Sequence, residues 1–114
     1  MRNGILILTA FAITAITGLA QSAGNVEHGK QLFTRNGCYQ CHGTVGQGGQ
    51  AGARLAQFKL TQQAFIAFVR NPPPSNMPPY RAKVMSDQDL ADVYAFIKTF
   101  PEPQPVKDIP LLNQ

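Results

Sequence analysis

Cys38, Cys41 and His42 fall within five consecutive residues, Cys38-Tyr39-Gln40-Cys41-His42, and the 114-residue chain has no other cysteine. A disulfide gains most from closing a long loop, so a bridge from i to i+3 would restrain little of the unfolded chain. A zinc site needs three or four protein ligands. Beyond these residues the chain offers only His28 and scattered acids, with no second ligand pair. A thioredoxin-like redox pair needs βαβ patterning around it, and no period-2 apolar runs flank the motif. One chemistry uses all three side chains, the attachment of c-type haem. Each thiol adds to a haem vinyl group, and the adjacent imidazole binds the iron.

An iron held by His42 asks for a second axial ligand, and Met77, Met85 and His28 are the candidates. Met85 precedes Ser86-Asp87-Gln88-Asp89, a capping box that opens a helix, so it faces Leu90 as a hydrophobic staple. His28 lies on a helix whose apolar positions are Val26, Leu32 and Phe33, which makes it a solvated residue. Met77 stands alone between Asn71-Pro72-Pro73-Pro74-Ser75-Asn76 and Pro78-Pro79. No helix forms there, and a methionine has no periodic apolar face to join. Met77 is the expected distal ligand.

The elements that must position these residues are helical. Val26 to Arg35 reads as a first helix that stops at Asn36-Gly37, a pair suited to a left-handed C-terminal turn. Gly43 to Gly52 holds five glycines and no helical period, so it reads as a loop. Thr61 caps a second helix, Gln62 to Arg70, which ends before three prolines. Ser86 caps the last, in which Leu90, Val93, Tyr94 and Ile97 keep i, i+3, i+4, i+7 spacing until Pro101. No strand pattern appears. The expected fold is all-α, three main helices and long loops wrapped around one haem that supplies the missing core. A 44% share of apolar residues suits a globular domain.

Gly29, Phe33, Cys38-Tyr39-Gln40-Cys41-His42-Gly43, Met77-Pro78 and a C-terminal helix with Tyr94 together resemble a small class I cytochrome c. The resemblance extends over nearly all the chain after residue 20. It implies one covalent haem c, with Cys38 and Cys41 as thioethers, His42 as proximal ligand and Met77 as distal ligand in a proline-bearing loop. It also implies that Gly29 and Phe33 on the first helix meet Tyr94 on the last. Gly52-Ala53-Arg54-Leu55 stands where relatives often carry Gly-Pro-x-Leu. The proline that usually places a carbonyl acceptor for the proximal histidine is thus replaced by Ala53, although some acceptor for the second nitrogen of His42 is still required.

Residues 1–20 read as a secretory signal: Arg2 is a positive n-region, Ile5 to Ile16 is apolar apart from Thr9 and Thr14, and Gly18-Leu19-Ala20 supplies small residues at the cleavage site. An uncleaved membrane anchor is the alternative, for which the apolar run is slightly short. Residues 21–100 form the domain and 101–114, with four prolines, an extended tail. Export implies a periplasmic location and, after cleavage, no membrane span. Without Arg2, nine basic residues face six acidic ones, a net charge of +3. Lys30, Arg35, Arg54, Lys59, Arg70, Arg81 and Lys83 occur between His28 and Ser86 with no acid among them, while Asp87, Asp89 and Asp92 gather at the start of the last helix. The acids favour a helix N-terminus. The bases imply a positive rim that steers acidic redox partners, with one or two of Arg54, Arg70 and Arg81 free to pair with haem propionates.

These aromatics fall at helix-core spacing and do not interleave with the bases, which argues against nucleic acid. Iron with His and Met at both axial positions has no open site for oxygen or peroxide, so the expected function is single-electron transfer between redox proteins, not catalysis. A variant reading makes the chain the cytochrome subunit of a periplasmic dehydrogenase that passes electrons toward a terminal oxidase. The competing class is a haem enzyme or gas sensor with a labile Met77, and no polar distal residue at a recognisable position supports it.

Overall fold

The computed structural model describes residues 22–75 and 77–112; the expected signal, 1–20, lies outside them. Four α-helices follow in order, α1 Val26–Arg35, α2 Cys38–His42, α3 Gln62–Arg70 and α4 Asp87–Ile97, with two 3-10 turns at Val106–Asp108 and Pro110–Leu112. No strand occurs among the described residues. The three longer helices occupy the expected ranges. The single-turn α2, which carries the whole Cys-x-x-Cys-His motif, is the element the sequence pattern does not announce.

Local chemistry accounts for each boundary. The Asn25 side chain accepts the His28 N–H and caps α1, and the Thr61 hydroxyl accepts the Ala64 N–H and caps α3. At α4 the capping box closes in both directions: Ser86 Oγ accepts the Asp89 N–H and Asp89 Oδ2 accepts the Ser86 N–H. Gly37, at φ 70°, takes the left-handed turn that ends α1 and starts α2 one residue later. The motif is therefore fixed rigidly to the end of α1.

The main packing contact is the crossing of α1 and α4. Gly29 permits it, because a Cβ at that position would lie 1.9 Å from the carbonyl oxygen of Asp92. Leu32, Leu90 and Ile97 are the most deeply buried large side chains. Met85, buried beside Leu90 in the same cluster, has the core role that the staple implies.

Two aromatic triads flank α4. Phe33, Phe96 and Phe100 meet with centroids 5.0 to 5.6 Å apart on one side, and Phe58, Phe65 and Tyr94 meet at 5.6 to 5.9 Å on the other. This corrects one expectation. The α4 aromatic that meets Phe33 is Phe96, also close to Gly29, whereas Tyr94 turns toward α3 and donates its hydroxyl to the Leu60 carbonyl. Tyr94 and Phe96 lie two residues apart, about 200° around a helix, so choosing between them reverses the face. From Pro101 to Leu112 the chain lies at the surface, with only Ile109 half-buried and Leu111 and Leu112 exposed.

Candidate haem site

α2 brings Cys38, half-buried, and Cys41, exposed, to one end of the α1 and α4 pair, and neither is in a disulfide. The Cys38 thiol sits against the Tyr80 hydroxyl. Burial pushes its pKa above the ordinary value and outweighs the hydrogen bonds that favour a thiolate, so the sulfur is a neutral thiol in an apolar setting.

His42 Nδ1 lies 2.6 Å from the carbonyl oxygen of Ala53. That bond places the Nδ1 proton and leaves Nε2 free as a donor to a metal. The loop reaches this position without the family's proline because its own backbone folds it back. The Gly48 N–H donates to His42 O at 2.9 Å, the Gly49 N–H to Gly52 O at 2.9 Å, and the Leu55 and Ala56 N–H groups both to Gly46 O at 2.8 and 2.9 Å. Ala53 is thus an adequate replacement, since the acceptor is a main-chain oxygen held from both sides.

His42 and Cys38 face an apolar cavity of about 210 Å³, and Met77 lines the same cavity from the loop after α3. Val69 from α3, with Leu90, Val93 and Ile97 from α4, forms the floor. A cleft containing Cys41, Gly52 and Pro78 adjoins it and shares Cys38, His42, Met77 and Tyr80. The walls are almost wholly apolar, as in small-molecule and cofactor sites. The Cys38 thiol, an imidazole with one nitrogen committed and the Met77 thioether line the apolar cavity, and the Cys41 thiol lines the adjoining cleft. That donor set fits a covalently attached porphyrin with iron.

His28 does not reach this space. Its Nδ1 lies 2.7 Å from Asp92 Oδ2 in the α1–α4 contact, so it is a hydrogen-bond partner of Asp92 and not merely a solvated residue. Asp92 is 3% exposed and also accepts the Asn25 N–H at 2.7 Å and the Gln88 side-chain amide at 2.9 Å. Desolvation pushes its carboxyl up, but the bonds from His28, Asn25 and Gln88 outweigh this and hold it below the usual carboxylate range. The reading of all three acids as helix-terminus charges therefore holds for Asp87 and Asp89, both in the first turn of α4, while Asp92 is a buried tie between helices. Sequence reasoning also missed Tyr80. An aromatic three residues beyond Met77 was its only signal.

A single-turn helix bearing Cys-x-x-Cys-His, joined to crossed terminal helices beside an apolar cavity, defines a c-type cytochrome. Residues 24–97 match the family described as Cytochrome C oxidase, cbb3-type, subunit III, more than half of the chain, and the protein belongs to that family. It carries a covalently bound haem c, for which Cys38 and Cys41 fit the attachment motif. Comparison with curated proteins and with solved structures gave no significant match. The family supports electron transfer with redox proteins as partners. Among the described residues no helix is long and apolar enough to cross a membrane.

Proposed function

We propose that the protein is an exported single-electron carrier in which Cys38 and Cys41 would tether the haem and His42 and Met77 would hold its iron. The bound haem supplies a one-electron iron couple, and methionine ligation raises its potential. The chain's own residues do the rest. Ala53 orients His42 through its carbonyl, the apolar cavity walls exclude water, and Met77 occupies the position that oxygen or peroxide would need. The observation that carries this reading is that His42 and Met77 both line the apolar cavity, while Met85, which also borders it, is buried in the core cluster.

Lys30, Arg35, Arg54, Lys59, Arg81 and Lys83 are exposed and give the carrier a positive surface for an acidic partner. Arg54 also lines the cavity, which makes it the first choice for a propionate partner. Arg70 is engaged elsewhere, with Tyr80 and Asp87. The family's description names an oxidase subunit, so a terminal oxidase is the first acceptor to test.

The absorption spectrum tests the ligation. A low-spin ferric iron with a methionine charge-transfer band that survives Met85→Leu and disappears in Met77→Ala supports the reading; a high-spin iron that binds CO readily overturns it. Mass spectrometry tests export: a mature chain starting at Gln21 is expected, and an intact Met1 contradicts cleavage.

A further inference from the structure

Arg70, the last residue of α3, has its guanidinium committed in two directions. Nη1 donates to the carbonyl oxygen of Tyr80 at 2.6 Å and Nη2 to Asp87 Oδ1 at 2.6 Å, with the side chain 15% exposed. The Tyr80 N–H donates to Val69 O at 3.1 Å. The Tyr80 hydroxyl reaches Asn36 O at 3.4 Å, beside Cys38. Tyr80 is therefore fixed through its N–H, its carbonyl and its ring, and the carbonyl depends on Arg70.

Only Pro78 and Pro79 separate Tyr80 from Met77. Each proline locks its φ near −65°, so few soft torsions lie between the anchored tyrosine and the thioether. On the other side, Pro72-Pro73-Pro74 stiffens the chain leaving α3, and the Ser75 hydroxyl accepts the Met77 N–H at 3.2 Å. The ends of this loop thus meet at residues 69–70 and 80. We infer that Arg70 is a positioning residue that holds Met77 on the iron by clamping Tyr80. The inference rests on Met77 being the distal ligand. The two arms differ in weight: the Tyr80 arm is a charge-assisted bond to a half-buried carbonyl, whereas Asp87 is 77% exposed and its charge is screened by water.

Exogenous imidazole can bind the ferric iron only in the fraction of molecules in which Met77 has left, so its apparent affinity reports that fraction. In the holoprotein, Arg70→Gln should tighten imidazole binding about tenfold or more, equivalent to about 1.4 kcal/mol. Arg70→Lys, which keeps one donor for Tyr80, should restore most of the loss, and Asp87→Asn should stay within about twofold. Imidazole affinity unchanged in both Arg70 variants, with only the thermal midpoint lowered, would overturn the clamp and leave Arg70 a structural residue. If Arg70→Gln does not fold, Arg70→Leu, which keeps an apolar stem but no donor for Tyr80, against Asp87→Asn decides: a leucine variant that binds imidazole no more tightly than the asparagine one sinks the inference. Failure of the underlying reading looks different, because Met77→Ala would then keep the methionine band of the wild type.

Discussion

One face of α4 meets α1 and the other lines the haem cavity, and the two are completed by different matter. On the α1 face, Asp92 and Phe96 lie directly against Gly29 and Phe33, and a buried carboxylate is satisfied by His28, Asn25 and Gln88. Every partner there is protein. On the cavity face, Leu90, Val93 and Ile97 present apolar side chains to a space that this small chain does not fill with its own atoms. The same helix thus serves as a closed joint on one side and as half of a cofactor pocket on the other. The first should tolerate loss of the haem and the second should not.

The sharpest way to break this difference is to prevent attachment. With Cys38→Ala and Cys41→Ala together, the cavity face loses its filling, and cooperative thermal unfolding should vanish while some helical circular dichroism remains. A cooperative transition at the wild-type midpoint would show that the protein core alone suffices. The next largest effect belongs to the other face. Gly29→Ala places a methyl against the Asp92 carbonyl, and a backbone oxygen at 1.9 Å has nowhere to yield except by parting the helices. A loss of about 3 kcal/mol or more in denaturant unfolding is expected, with the haem spectrum of the folded fraction unchanged.

The two faces were also unequally legible in the sequence. The helix ranges follow from Asn36-Gly37, Thr61, Ser86 and the proline runs, because caps and breakers act within a few residues of where they stand. The Cys-x-x-Cys-His motif was readable for the same reason, because its chemistry is written in type and spacing, and Met77, singled out by its isolation, lines the cavity that His42 also lines. What stayed hidden depends on tertiary pairing. Tyr94 and Phe96 are both aromatics on α4, and only the rotation of α4 against α1 says which one Phe33 meets. Asp92 looked like one of three helix-start acids, yet its position faces α1, where burial demands partners. Nothing local to Arg70 announces that its guanidinium turns to Tyr80. The Ala53 carbonyl shows the reverse case: the missing proline suggested a lost acceptor, and the loop's backbone bonds supply it.

Asp92 gives the closed joint a pH dependence that the cavity face lacks. Its carboxyl titrates below the ordinary carboxylate value in the folded chain, so its contribution is full above the unfolded value of about 4 and is lost as pH falls through the lower, folded one. Stability should therefore decline on acidification below about pH 4. In Asp92→Asn that decline should be shallower, and the neutral-pH stability should fall by about 1 to 3 kcal/mol, because an amide offers one oxygen where two now accept three bonds. Urea midpoints measured from pH 7 to pH 3 on both proteins test this. Parallel curves would mean that the tie between α1 and α4 does not depend on the charge of Asp92.

The smallest effect should come from Asp87→Asn, at the edge where α4 begins. Its ion pair with Arg70 is as short as the part-buried His28–Asp92 contact, 2.6 against 2.7 Å, yet its carboxylate is 77% exposed where that of Asp92 is 4%. Water and salt screen the exposed pair, and its loss should cost about 0.5 kcal/mol or less, shrinking further as ionic strength rises. Equal distance with unequal burial isolates the variable that separates the two regions. If denaturant unfolding at low salt showed Asp87→Asn to be as damaging as Asp92→Asn, burial would not be what distinguishes them, and the Asp87 arm of Arg70 would have to carry as much weight as the arm to Tyr80.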